Sequence, residues 1–208
     1  MMTRKREKPT AAELSAYHEA GHVVMAYLLK RQFRCATIDP RELDKEMSGC
    51  TFLKPVKTLS LEGILDYSFI RIRNSIEREV KIALAGEAAE SLLLGHNDWI
   101  SAKKDIRHCY NLCNFQCASR ERYEAYIKWL WLCVRDLLKL PCNWICIQAV
   151  AWALLKHRRI GYRKARAIIA EARANYYKRF AHKQQPQSFF KRLRFTLFHK
   201  AKTQYKTE

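Results

Sequence analysis

Residues 16–22 read Ala-Tyr-His-Glu-Ala-Gly-His, and the interpretation of the whole chain starts from this stretch. It lies in a segment that begins with Thr10-Ala11-Ala12-Glu13, which has the Thr-x-x-Glu form of a helix capping box. Apolar residues then recur at helical intervals as far as Leu29. These features predict a helix over residues 11–31.

His18, Glu19 and His22 form the His-Glu-x-x-His pattern on this predicted helix. Two histidines four residues apart lie on one helix face, so both imidazoles can reach one zinc ion. Glu19 points to the side of that pair, where its carboxylate can take the proton of a zinc-bound water that attacks a carbonyl. Gly21 costs the helix about 1 kcal/mol relative to alanine, which indicates a close approach at that point. The motif predicts Zn2+ bound by His18 and His22, with Glu19 as the general base.

A catalytic zinc site usually has three protein ligands and a water, so a third ligand must come from elsewhere in the chain. Glu87 and Glu90 lie on a predicted helix that carries much of the core, and either can orient a ligand histidine through its second ring nitrogen. Asp105 lies in the first turn of another predicted helix, where a carboxylate also complements the helix dipole. From the residues alone, the candidates are His96, Asp98, Glu87, Glu90, Asp105 and His108.

The rest of the chain predicts a mainly α fold, with a small two- or three-stranded sheet after the first helix. Two short strand-like runs, residues 35–38 and 50–53, are bounded by turn signals such as Asp39-Pro40. From about Leu61 the apolar pattern is helical nearly to the end. Helices are predicted over residues 76–94, 102–118, 120–140, 141–157 and 162–180.

The basic excess of the chain is concentrated at its ends. Lys and Arg number 39 against 20 Asp and Glu, and the net charge is +3 over residues 1–10, +2 over 11–155 and +14 over 156–208. We therefore predict a basic arm over residues 1–9, a folded domain over 10–180 and a basic, aromatic-rich tail over 181–208. The tail is either a solvated, disordered segment or a surface for an anionic membrane, an acidic protein or nucleic acid.

The eight cysteines include no Cys-x-x-Cys pair, and several are spaced as buried helix residues. The basic, polar first residues do not resemble a signal peptide, and no run reaches the roughly 18–20 apolar residues that a membrane span needs. We expect reduced thiols and a cytoplasmic location, with at most peripheral attachment to a membrane. A second metal site at Cys109, Cys113 and Cys117 is the less favoured interpretation of that stripe.

Several separate blocks resemble the protease domain of the FtsH-type, membrane-anchored AAA zinc metalloproteases. The similarity covers roughly residues 10–175, and Glu87 stands where that family usually has Arg. The blocks are residues 16–22 (the zinc helix), 35–40 and 48–51 (two short strands), 83–90 (a Leu-x-Gly-Arg-Ala-Ala-Glu helix), 104–106 (an Asn-Asp-Leu block) and 151–168 (the last helices). The resemblance implies a mostly helical zinc peptidase domain in which Asp105 is the third zinc ligand.

The sequence contains neither the ATPase half nor the membrane spans of that family, and it has no GxxxxGK[ST] loop. The resemblance therefore implies an ATP-independent zinc metalloendopeptidase that acts on unfolded proteins or peptides, with homo-oligomers left open. Lys103-Lys104 replaces the family's Ser-Asn and makes the mouth of the site more basic. Two alternatives remain: a zinc-binding interaction module with weak or lost catalysis, and a binder of anionic surfaces that acts through its basic ends.

Overall fold

The computed structural model describes residues 8–43, 49–54, 70–96, 103–113, 117 and 119–181. The described residues up to Arg173 belong to one compact unit, and those from Ala174 belong to a second. Most of the predicted basic arm (1–7), the tail from residue 182, the helical pattern of 61–69 and the candidate ligand Asp98 lie outside the described residues.

The described part of the chain is mainly helical, and a small antiparallel sheet follows the first helix, as predicted. The first helix ends at Leu28 rather than at residue 31. The helices are α1 (Ala11–Leu28), α2 (Ile70–Leu94), α3 (Lys103–Cys113), α4 (Arg120–Lys139), α5 (Pro141–His157) and α6 (Tyr162–Ala181). The strands are β1 (Phe33–Thr37), β2 (Cys50–Leu53) and β3 (Arg159–Gly161), and a 3-10 turn lies at Pro40–Glu42.

The capping box at the start of α1 is confirmed. The backbone N–H of Glu13 donates to Thr10 Oγ1 at 3.2 Å, and the backbone N–H of Thr10 donates to Glu13 Oε2 at 2.8 Å. These two bonds satisfy backbone donors that a helix start leaves without partners. At the other end, Lys30 adopts the left-handed conformation (φ 55°) and turns the chain toward β1.

The sheet has the order β2-β1-β3, and both strand pairs are antiparallel. β3 follows α5 in sequence and was not predicted, because three residues are too short to show an alternating pattern. Its position depends on Arg158, which ends α5 in the left-handed conformation (φ 62°). The Arg158 carbonyl accepts a hydrogen bond from the backbone N–H of Ile38 at 2.8 Å. This turn places β3 against β1, with Ala36 opposite Ile160.

Helix α1 packs on α2 and α5, and its contact with α2 is unusually close. A Cβ atom added at Gly21 would overlap the backbone carbonyl oxygen of Ala85 and would lie 2.9 Å from the Cβ of Ala89. On α2, Ala85, Ala88 and Ala89 are fully buried. Small residues on both helices therefore allow the two backbones to approach each other. Gly21, where the sequence predicted a close approach to another element, lies at this crossing.

The apolar spacing over residues 120–140 predicts an inward face made of Tyr123, Ile127, Leu130, Val134, Leu137 and Leu138, and α4 buries most of it. Ile127, Leu130, Val134 and Leu138 are buried, but Leu137 is 36% exposed, so its predicted inward orientation is wrong. Adjacent residues project about 100° apart on a helix, and the core takes Leu138 rather than its neighbour.

Helices α4, α5 and α6 are joined by one buried amide. The Asn143 side chain donates to the Leu137 carbonyl at 2.8 Å and accepts from the Arg173 guanidinium at 3.1 Å.

No single helix among the described residues is long and apolar enough to cross a membrane. Helices α4 and α5 pass that test of length and composition only as a pair, which is bent by 84°.

The cysteines behave as small hydrophobic residues. All eight lie among the described residues and none forms a disulfide, and Cys35, Cys109, Cys113 and Cys146 are buried. Burial raises the pKa of Cys113 to about 12. This agrees with the prediction that the helical cysteine stripe belongs to the core.

The close contact of α1 and α2 leads to a prediction about stability. Gly21→Ala should lower the free energy of unfolding by about 1–3 kcal/mol, because overpacking outweighs the roughly 1 kcal/mol by which alanine favours a helix. Thermal and denaturant unfolding measure this difference. The matched control is Gly161→Ala, where the added Cβ would lie 3.8 Å from the Arg34 carbonyl oxygen, an ordinary contact. Equal stability of the two variants would contradict the assigned packing.

Candidate metal centre

The two motif histidines lie one turn apart on α1 with their rings close together. The ring centroids are 4.7 Å apart and the ring planes meet at 78°. His22 is buried and His18 is half-buried. The helical repeat alone brings these imidazoles to one face of α1.

Helix α3 brings Asp105 to the same point. Asp105 Oδ2 lies 3.0 Å from His18 Nε2 and 3.5 Å from His22 Nε2. One donor atom from each of the three side chains lies within 4.8 Å of the others, so the group could hold a metal ion. Of the other ligand candidates that the structure describes, His96 is exposed at the end of α2, and His108 is exposed on α3.

The second nitrogen of each histidine ring has its own partner. His22 Nδ1 donates to the Ile82 carbonyl oxygen at 2.7 Å, and His18 Nδ1 lies 3.0 Å from Glu90 Oε1. A carbonyl oxygen only accepts, so Nδ1 of His22 carries the hydrogen, and in the neutral ring Nε2 carries the lone pair. Partners of this kind fix the tautomer and the ring orientation of metal-binding histidines. Both rings therefore present Nε2 toward Asp105.

Glu19 lies to the side of the histidine pair and is almost completely buried. Its Oε2 accepts a hydrogen bond from the Thr51 hydroxyl at 2.6 Å. Strand β2 also crosses close to it, because a Cβ at the neighbouring Gly49 would lie 2.6 Å from Glu19 Oε1. Burial raises the pKa of Glu19, and the nearby imidazoles of His22 and His18 oppose that rise. The carboxylate is thus held between α1 and β2 and beside the three-residue group.

Gly86 on α2 forms the floor of the site. A Cβ atom at this position would lie 2.5 Å from His18 Nε2 and 2.6 Å from His22 Nε2. Both distances are shorter than any ordinary van der Waals contact, so only glycine leaves room for the two rings. The sequence signal was a glycine inside a predicted helix, the same signal that drew attention to Gly21.

The charges of the three converging side chains stabilise one another. Burial lowers the pKa of His18, but its hydrogen bonds with Asp105 and Glu90 outweigh that effect, and the pKa lies well above its ordinary value. Burial opposes ionisation of Asp105, but the imidazoles of His22 and His18 hold the pKa of this carboxyl well below its usual range. Imidazole binds a metal in its neutral form, so a divalent cation in this group would displace the proton that a charged ring carries at Nε2.

The two glutamates that were predicted to orient a histidine differ in their contacts. Glu90 lies against His18, as described above. Glu87 is 1% exposed and accepts a hydrogen bond from the Trp131 indole N–H. It thereby joins α2 to α4, and its predicted role toward a ligand histidine stays a prediction.

The group lies in a cavity of about 680 Å³ formed by α1, α2, α3 and β2. Sequence reasoning assigned no role to Gly49, Thr51 and Ile82, which line the cavity, or to Gly86, which lies against the histidine rings. Thr51 and Ile82 act through single hydrogen bonds from other elements, and no local pattern marks such contacts.

A scan against models of protein families and a search of curated proteins each found no match to this chain. The resemblance to FtsH-type proteases rests on the motifs quoted above and stays a prediction. The geometry of the His18, His22 and Asp105 group does not depend on that resemblance, because it is given by distances within this chain.

Asp105 should be required for metal retention. Asp105→Asn removes the only anionic donor of the group, and we expect a loss of metal affinity of at least about 100-fold, more than the 10–100-fold that loss of an orienting partner costs. Metal content after loading with Zn2+ and dialysis measures the effect. Asp136→Asn, at an exposed position on α4, is the control and should match the wild type. Equal retention by the two variants would remove Asp105 from the group.

Gly86 should also be required for metal binding, because the two histidine rings occupy the space where a side chain would lie. Gly86→Ala should weaken metal binding by at least about 10-fold, because the histidine rings must move away from the new methyl group. Calorimetric titration with Zn2+ measures this affinity, and far-UV circular dichroism checks that the fold is retained. A Gly86→Ala variant that binds metal as tightly as Gly161→Ala would show that the rings do not lie against Gly86.

Proposed function

We propose that this chain is an ATP-independent zinc metallopeptidase that hydrolyses peptide bonds in unfolded proteins or peptides. The observation that carries the proposal is the position of the Glu19 carboxylate. It is buried, held by Thr51 and adjacent to the His18, His22 and Asp105 group. A general base beside three metal-binding side chains is the arrangement that hydrolysis at zinc requires.

The donor set fits zinc. Two imidazole nitrogens and one carboxylate oxygen are common zinc ligands, and three protein ligands leave a coordination position for the reacting molecules. Donors that bind one zinc tetrahedrally at about 2.0–2.1 Å lie about 3.3 Å apart. The separations of Asp105 Oδ2 from the two Nε2 atoms are 3.0 and 3.5 Å, on either side of that value.

Each side chain has a defined part in the proposed reaction. A bound zinc ion would supply Lewis acidity at the carbonyl that is attacked. Glu19 takes a proton from the attacking water and delivers it to the leaving nitrogen. Thr51 holds Oε2, and among the described residues no hydrogen bond engages Oε1, which leaves that oxygen to carry the proton. Glu90 and the Ile82 carbonyl keep the two histidine rings in place.

The shape of the cavity favours an extended substrate. A volume of about 680 Å³ accommodates a few residues of a chain and excludes a folded domain. Strand β2 lines the cavity, and in the described sheet it pairs on one side only, with β1. Its outer edge can therefore pair with an extended peptide. The sequence has no phosphate-binding loop, which supports hydrolysis without ATP.

Glu19→Gln should abolish hydrolysis while zinc stays bound. We expect at least about a 100-fold loss of activity on unfolded casein, because the amide cannot accept the proton. Zinc content measured on the same samples should equal that of the wild type, since Glu19 is not one of the ligands. Glu124→Gln, at an exposed position on α4, is the matched control.

The same assay separates peptidase activity from the alternative of an interaction module. A chelator should remove the wild-type activity, added Zn2+ should restore it, and ATP should leave it unchanged. Full activity of Glu19→Gln would contradict the assigned base. No hydrolysis by zinc-loaded wild type would favour a zinc-binding module that acts through partners.

A further inference from the structure

Three basic side chains of α3 lie at the mouth of the metal-centre cavity. Lys103, Lys104 and Arg107, here called the basic rim, line the same cavity as Asp105, and all three are exposed. They belong to the helix that supplies the third member of the metal-binding group. Anything that reaches the cavity past α3 therefore meets positive charge first.

Each carboxylate that lines this cavity has a partner of its own. Glu19 accepts from Thr51, Glu90 and Asp105 contact the histidines, and Glu79 pairs with Arg31 at 2.5 Å. Within the described residues, Lys103 and Arg107 form no ion pair. Both side chains are exposed, and among the described residues no ion pair with an acid of the site neutralises them.

The stability of α3 does not explain why basic residues occupy positions 103 and 107. The first turn of a helix carries the positive end of the dipole, so lysines there are unfavourable. Lys103 and Arg107 are also four residues apart, and like charges at that spacing repel each other along one helix face. Both features weaken α3, and both add to the positive potential at the cavity. The charges are better explained by what enters the cavity than by the stability of the helix.

We propose that the basic rim selects substrates that carry a carboxylate, so that the preferred substrate is an acidic peptide segment. The proposal rests on the proposed peptidase function, since it names the substrate class of that site. Lys103 and Arg107 would pair with Asp or Glu side chains of the substrate, or with its C-terminal carboxylate, while the neighbouring peptide bond lies at the metal centre. These contacts act on binding rather than on the proton transfers of Glu19, so they should change KM more than kcat.

Peptide binding tests the proposal without hydrolysis. The protein is the zinc-loaded Glu19→Gln variant, titrated by calorimetry with a glutamate-bearing peptide and with its glutamine-bearing twin. We expect the glutamate peptide to bind about 2- to 20-fold more tightly at low salt, with the preference shrinking as salt rises. Versions with a free and with an amidated C-terminus distinguish the two sources of carboxylate.

Variants of the rim assign the preference to its residues. In the same Glu19→Gln background, Lys103→Gln with Arg107→Gln should abolish the preference, whereas Lys128→Gln with Lys139→Gln on α4 should leave it intact at equal net charge. Lys103→Glu with Arg107→Glu reverses the charge of the rim and keeps the like-charge spacing of the wild type, while the acid at 103 lies in the first turn, where the helix dipole favours it. With the fold checked by circular dichroism, this variant should prefer a lysine-bearing peptide. A preference that survives loss of the rim charges would overturn the proposal, as would tight binding of a single-stranded oligonucleotide with no discrimination between the peptides.

The outcomes for the two proposals are distinguishable. If wild type hydrolyses casein but treats the glutamate and glutamine peptides alike, the peptidase stands and the acidic preference is wrong. If the rim-dependent preference is present but zinc-loaded wild type hydrolyses neither peptide, the binding site stands and the proposed peptidase is wrong. With both present, the kinetic readout should show the preference in KM.

Discussion

The close packing of α1 against α2 is the constraint on which the rest of the structure depends. Gly21 lets the α1 backbone approach the Ala85 carbonyl, and Gly86 lets the α1 histidines lie on the α2 backbone. Gly21 faces α2, and Gly86 faces α1, at the same crossing. One crossing therefore forms both the centre of the core and the floor of the candidate metal centre. A change that separates the helices would affect stability and metal binding at once.

The second constraint is the burial of charge around the histidines. A buried carboxylate is costly unless it is paired, and removal of one partner leaves the other charge stranded. Glu90, Asp105 and Glu79 each meet a basic or imidazole partner, and Glu19 receives a hydrogen bond from Thr51. The carboxylates belong to α1, α2 and α3, and their partners belong to α1, β2 and the segment that leads into β1. These pairings thus help to fix how the elements are arranged around α1.

Elements with strong local signals could be predicted from the sequence. The capping box at Thr10 starts α1, and Pro141 starts α5, since both residues act within one turn of themselves. Strand β3 could not be predicted, because its pairing with β1 depends on the left-handed turn at Arg158. The orientation of Leu137 was missed for a related reason. Periodicity defines an apolar face only broadly, and the neighbouring helices decide which edge of that face is covered.

The sequence by itself determined the chemistry on one helix: His18, Glu19 and His22 have the spacing that places two imidazoles and a carboxylate on adjoining faces of α1. Local spacing could do this because a helix repeats the same geometry at every turn. Only the tertiary structure brought Asp105, Glu90, Thr51 and Gly86 to those residues from α3, α2 and β2. From the residues alone Asp105 was one of six candidates, and the family resemblance was needed to single it out. The distance between side chains on different elements depends on how closely and at what angle those elements pack, and that is decided by the core as a whole.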